Sequence, residues 1–351
     1  MPAKPSAWAR DSPTPNSARV QATQNRLTFI WILLSTLVVG SLHHPCVAKA
    51  SPEKTPATSK LSRSESGTAT PWHLDRPVKV VVIGGSISKY YAGNFGQYLQ
   101  YGCKKVEVLN RGKVGAGGAE LSRILRQDVL GDPATARGLH AAKAEGWVLF
   151  QGGLNSVGSP QSTAYFLSRL FEAAHGSGLK VMALTLSPWG SDSDARFAGW
   201  RGLATVQATE HVVEFVLGHL DPAVALGTKG QGHDTSWSKN ELPDIAIDLW
   251  HSPLAADSAN PLRERGPLET TFGQSPFARR AAQKAELLRQ AQQVPRHYLG
   301  AKYRDFDHIH PNSAGHRVMA ALACQKAPPS WDCDCDAIRH SQWKGKVVAD
   351  K

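Results

Sequence analysis

Two short stretches of this chain carry residue types that can make and break bonds. The first is Val78-Lys79-Val80-Val81-Val82-Ile83-Gly84-Gly85-Ser86. Its apolar, β-branched run reads as a strand buried on both faces, and Ser86 then stands at the carboxyl end, where open α/β sheets place their ligands. A serine hydroxyl becomes a nucleophile only when a base takes its proton. The second stretch, Asp307-His308-Ile309-His310-Pro311-Asn312, offers that base. A carboxylate three positions before a histidine can reach the imidazole, fix its tautomer and stabilise the imidazolium formed on proton transfer. Two such pairs overlap, Asp305 with His308 and Asp307 with His310. In an extended loop both rings face the same way, so local spacing leaves both pairs open. Pro311 and Asn312 open a helix directly after His310 and fix its backbone. A misplacement of about 1 Å can cost around 100-fold in rate, so the anchor favours Asp307 and His310.

Other readings of the same residues are weaker. Gly-Gly-Ser after a strand is also an ordinary tight turn with serine as a helix cap. The Lys-Ser/Thr ending of a phosphate-binding loop is absent. Asp305, Asp307, His308 and His310 have no recognised metal-ligand spacing. Gly115-Ala116-Gly117-Gly118 lacks the third glycine of a dinucleotide loop.

These residues need elements to position them, and the pattern supplies strand, loop and helix in succession from Val78, as in a parallel sheet covered by helices. Strands are expected at Val78–Ile83, Val106–Leu109, Trp147–Phe150, Val181–Leu186 and Asp244–Leu249. Helices are expected at Lys89–Tyr101, Ala119–Leu130, Thr163–His175, Phe197–Leu220, Phe277–Gln293 and Asn312–Cys324. Asp221–Pro243 is Gly-rich and reads as an irregular insertion, more a rim than a second domain. Trp189 and Trp250-His251 follow the fourth and fifth strands and fit a cleft wall and a core equally.

Gly84-Gly85-Ser86 after strand one, Gly115 after strand two, Gly153-Leu154-Asn155 after strand three and Asp307-His308-Ile309-His310-Pro311 near the end resemble, in order and context, the four blocks of the SGNH (GDSL) hydrolase family. The resemblance covers about Val78 to Cys324. It implies an α/β fold of three layers, α/β/α, around a flavodoxin-like parallel sheet of about five strands, and serine ester hydrolysis without a cofactor or metal. By position it implies Ser86 as nucleophile, His310 as general base and Asp307 as its orienting partner. It implies an oxyanion hole made of the Ser86 and Gly115 backbone N–H groups and the Asn155 amide. Two positions depart from the family pattern: Gly85 stands where an aspartate is usual, and Ser156 where a second aspartate follows the asparagine. Neither carries the reaction in the family, where both brace loops. Ser88 replaces the glycine of an α/β-hydrolase nucleophile elbow, which argues against that fold. The substrate expected is a short acyl ester of a carbohydrate or other small alcohol. The rival readings are a catalytically silent SGNH-like domain that binds glycan, and an acyltransferase using the same triad.

Composition bounds the rest. The 351 residues are 41% hydrophobic and 20% charged, the balance of a globular protein. Of the formal net charge of +11, residues 1–74 carry +5, with eight Lys/Arg against three Asp/Glu. No basic stripe with interleaved aromatics points to nucleic acid. Leu27–Leu42 is an uncharged apolar run of 16 residues, followed by the small-x-small pattern Ala48-Lys49-Ala50. Residues 1–50 therefore read as a cleaved export signal, or as an anchor through residues 27–42; a membrane partner is expected only through that segment. Residues 51–75 read as a Pro/Ser/Thr-rich linker, 76–325 as the hydrolase-like domain and 326–351 as a cysteine-containing tail. Beyond Cys46, the even set Cys103, Cys324, Cys333 and Cys335 suits two disulfides in an exported protein, one of them joining Cys324 to Cys333 or Cys335.

Overall fold

The computed structural model describes residues 70–191, 194–230, 236–256, 265–275, 277–294 and 297–341. The export segment and most of the linker lie outside the described residues. Five strands form one all-parallel sheet: β1 (Val78–Gly84), β2 (Val106–Asn110), β3 (Glu145–Gln151), β4 (Lys180–Leu184) and β5 (Ile245–Ile247), in the order β2-β1-β3-β4-β5. This is the doubly wound order whose switch point lies between β1 and β3.

The side-chain period of two divides each strand between two cores. Val80 and Val82 of β1, with Trp147, Leu149, Met182 and Leu184, join the core beneath α1 (Phe95–Gly102). Val81 and Ile83, with Val148, Phe150, Val181 and Ala183, join the other. That second core is covered by α2 (Gly118–Arg123, continued by a π turn over Ile124–Val129), by α4 (Pro160–Gly176) and by α5 (Gly199–Val216). A short α3 (Pro133–Leu139) precedes β3 and was not foreseen from the pattern. It holds Trp72, whose indole N–H donates to the Thr135 carbonyl; Trp72 is buried four residues ahead of the expected domain boundary.

Several boundaries differ from expectation for local reasons. The first helix starts at Phe95 rather than Lys89, because Gly93 has φ +101° and Asn94 forms a capping box with Gln97. The insertion at 221–243 is partly helical, with α6 at Pro222–Leu226. Its described residues touch α4 at two places: Lys229 donates to Ser162, and the Asn240 carbonyl meets the His175 ring. The helix expected over Phe277–Gln293 is shorter, preceded by α7 (Arg265–Thr270) and reduced to α8 (Lys284–Gln292).

Helix α9 (Ser313–Lys326) returns to the α1 side, and α10 (Cys335–Arg339) closes the described chain. The tail is stapled to both helices of that layer, at the end of α1 by Cys103–Cys333 and within α9 by Cys324–Cys335. Among the described residues no helix is long and apolar enough to cross a membrane; the apolar run at 27–42 lies outside them.

Candidate active site

Three loops leave the carboxyl ends of β1, β2 and β3 and bring Ser86, Gly115 and Asn155 to one edge of the sheet. After β1 the chain passes through Gly84, where a Cβ would stand 2.2 Å from the Gln151 carbonyl of the neighbouring strand. Only glycine allows that approach. Ser86 follows and begins a 3-10 turn over Ile87–Lys89. After β2, Gly115 sits on an exposed turn with φ +77°. After β3, Asn155 lies in the short turn Leu154–Ser156 and donates one amide hydrogen to the Ala116 carbonyl at 3.1 Å. Its amide nitrogen lies 3.2 Å from the point where a Gly85 Cβ would stand. Neither the Ser86 nor the Gly115 backbone N–H has a partner among the described residues.

The histidine arrives from the other end of the chain. His310 Nε2 is 2.7 Å from Ser86 Oγ, and His310 Nδ1 bonds the Asp307 carboxylate. The second oxygen of that carboxylate accepts the N–H groups of Ile309 and His310 at 2.9 and 3.0 Å. Burial alone would push the Asp307 carboxyl up, but those N–H groups and the imidazole outweigh it and hold the carboxyl below its ordinary value. It is therefore a carboxylate at neutral pH.

The two overlapping Asp/His pairs are separated by the backbone. His308 has φ +63°, a left-handed conformation, so the expected alternation breaks. Its ring faces Asp194 (Nδ1 to Oδ2, 3.3 Å) rather than the serine. Asp305 goes elsewhere too, accepting from the Tyr90 hydroxyl at 3.1 Å. The loop is cross-braced by Asn312, whose side-chain amide donates to the Lys302 and Arg304 carbonyls while its oxygen caps α9 through the N–H groups of Ala314 and Gly315.

Supports absent from the sequence reading come from the segment after β4. Arg196 pairs with Asp194 at 2.6 Å and donates to the Asp307 carbonyl at 2.9 Å. That guanidinium holds the Asp194 carboxyl well below the usual range. Gly190 N–H donates to the His308 carbonyl at 2.6 Å. No local pattern ties Asp194 or Arg196 to the site, because the site residues they touch, His308 and Asp307, lie more than a hundred residues away. Ser156 braces the loops at its position: its hydroxyl accepts from Gly118 N–H at 2.9 Å and donates to the Gly153 carbonyl at 3.2 Å. Trp250 is core, whereas Trp189 is half-buried and donates to Thr209. Among the described residues the one cluster of three or more potential metal-ligand atoms is Cys103, Cys324 and Cys333, all held in the disulfides.

The arrangement defines a doubly wound α/β/α domain with an aligned Ser–His–Asp relay at the switch point. No protein-family profile matches the chain, and no curated protein does. Solved structures similar to it include a GDSL-like lipase from Bacteroides thetaiotaomicron (16% identity over 71% of this chain and 86% of that one, TM-score 0.40). A member of the lipolytic G-D-S-L family from Veillonella parvula is similar at 14% identity, covering 71% and 97%, with a TM-score of 0.39. The acetyl xylan esterase AlAXEase is similar at 13% identity, covering 71% and 100%, with a TM-score of 0.40. At such scores these likenesses carry no functional weight, and the chemistry is read from the chain's own residues.

Proposed function

We propose that the chain is an exported serine ester hydrolase of SGNH type, releasing a short acyl group from a carbohydrate or other small ester. The observation that carries this reading is the continuous relay from Ser86 Oγ through His310 to Asp307. His310 Nε2 takes the hydroxyl proton as Oγ bonds to the ester carbon. The same nitrogen then returns the proton to the departing alkoxide, leaving an acyl-enzyme on Ser86. Water, deprotonated by His310, attacks that ester and restores the serine. Asp307 keeps the imidazole in register and stabilises its charged form.

The developing oxyanion meets the Ser86 and Gly115 N–H groups and the free hydrogen of the Asn155 amide. Preorganised donors of this kind are worth ~3–4 kcal/mol each when one is removed. Gly85 suits this role, since a longer side chain there would crowd the Asn155 nitrogen.

The deciding experiment is covalent trapping. A fluorophosphonate should label Ser86, and Ser86→Ala should abolish both labelling and p-nitrophenyl acetate hydrolysis. A wild-type protein that is inert yet retains glycan would instead be a silent binding domain. Export is tested separately: the mature protein should begin at Ser51 on N-terminal sequencing, whereas retention of residues 27–42 means an anchor.

A further inference from the structure

Cys103 lies just before β2 begins, at the amino edge of the sheet, opposite the loops that carry Ser86. There the two bridges of the tail stand side by side. Cys324 Sγ, bonded to Cys335, lies within 4.8 Å of both sulfurs of the Cys103–Cys333 bridge. We propose that the four cysteines form one thiol–disulfide exchange site, in which a thiol that opens either bridge sends the released sulfur onto the other.

Access decides where an incoming thiol strikes. A crevice of about 630 Å³ is lined by Cys333 and Cys335, among charged side chains that include Lys104, Asp334 and Arg339. Each bridge thus has one half-buried cysteine at the crevice, while its partner, Cys103 or Cys324, is buried. An external thiolate bonds to Cys335 Sγ, the Cys324–Cys335 bond breaks, and its electron pair leaves on Cys324 Sγ. That sulfur bonds to Cys333 Sγ, the Cys103–Cys333 bond breaks, and Cys103 takes the electron pair and then a proton from water. Attack at Cys333 runs in the other sense: Cys103 is released and bonds to Cys324 as Cys335 leaves. Two disulfides exist before and after, one of them now mixed with the incoming thiol.

The released sulfur stays within reach because the backbone also holds the segments together. The Asp334 N–H donates to the Gly102 carbonyl at 2.8 Å. The Lys104 and Lys105 N–H groups donate to the Asp332 and Trp331 carbonyls at 3.0 and 3.3 Å. Trp331 is fully buried, edge-on to Trp147 at 5.5 Å between ring centroids. Cys324 is carried by α9. Reactants fixed in this way react as if at very high concentration.

The test is Cys335→Ser, which leaves Cys324 as an odd thiol beside the long bridge. The variant is incubated at pH 8.5, quenched in acid, unfolded in excess N-ethylmaleimide and mapped. Label should appear on Cys103 or Cys333 as well as on Cys324. Between pH 7 and 8 the redistribution should quicken, by up to about tenfold, as the thiolate fraction grows. Wild type treated with 2-mercaptoethanol needs no substitution. Adducts on Cys335 or Cys333 should come with new bridges from Cys324 to Cys333 or Cys103. Adducts that leave the other original bridge intact in every chain, or a Cys335→Ser chain labelled on Cys324 alone at every pH, overturn the exchange site. Neither result bears on the Ser86 reading.

Discussion

His308 and His310 are two residues apart, and the backbone gives them different work. His310 faces Ser86 with its other nitrogen on Asp307, whereas His308 turns to Asp194 through a left-handed backbone. His310→Ala should therefore lower kcat by several orders of magnitude, while His308→Ala should retain activity within about tenfold. Steady-state kinetics on p-nitrophenyl acetate decides between them, and the reverse ranking would overturn the assignment. The meeting of Ser86, His310 and Asp307 was legible because each sits beside a strand end or helix start that the pattern also marks. Their buttress was not. Arg196 supports Asp307 across 111 positions of sequence through a backbone carbonyl, a contact that leaves no trace in residue type or spacing.

Element α9 carries a different titratable group inside the core. His316 is fully buried between Tyr90 and Phe95, and neither ring nitrogen has a partner among the described residues. Burial, and next the nearby His310, push it down to about 3, so the ring stays neutral in the folded chain. Below its ordinary value of about 6.5 the unfolded chain binds a proton that the folded chain refuses. Stability is thus lost as pH falls from there toward the folded value, by up to about 1.4 kcal/mol per unit. His316→Phe fits the same aromatic slot and should lose roughly 2 kcal/mol less than wild type between pH 6.5 and 4.5, read from urea unfolding. Parallel slopes for the two proteins would refute the role assigned to this ring. At this scale the strands were the most legible feature, since each is an apolar run with turn residues at its end. Helix starts were less so. Gly93 and Asn94 displaced the first helix by half its length, and the 221–243 segment gained a helix because α4 offers it a surface to pack on.

Across the whole molecule, the cysteines implied two bridges, one of them from Cys324 to Cys333 or Cys335; the tail's return beside α1 gives Cys335 to Cys324 and Cys333 to Cys103. Cys103–Cys333 spans 230 residues and Cys324–Cys335 spans 11. On the loop-entropy view the long bridge contributes about 5 kcal/mol and the short one about 3 kcal/mol. Replacing the first pair with alanine should cost more in denaturant unfolding than replacing the second. Equal costs would show that residual structure in the unfolded chain, not loop closure, sets the effect. Peptide mapping without reduction should recover these two bridges and no free thiol among the four.

The span between Ser86 and His310 has a consequence in time. The two meet only across 224 residues of sequence. At 5–20 residues per second, roughly 10–45 s of synthesis separate the serine from its base. A nascent chain that extends only through β5 carries Ser86 and the Gly115 and Asn155 loops, yet lacks the imidazole that faces the serine. If the serine acts as proposed, the chain stays unreactive toward esters until His310 has been made and seated.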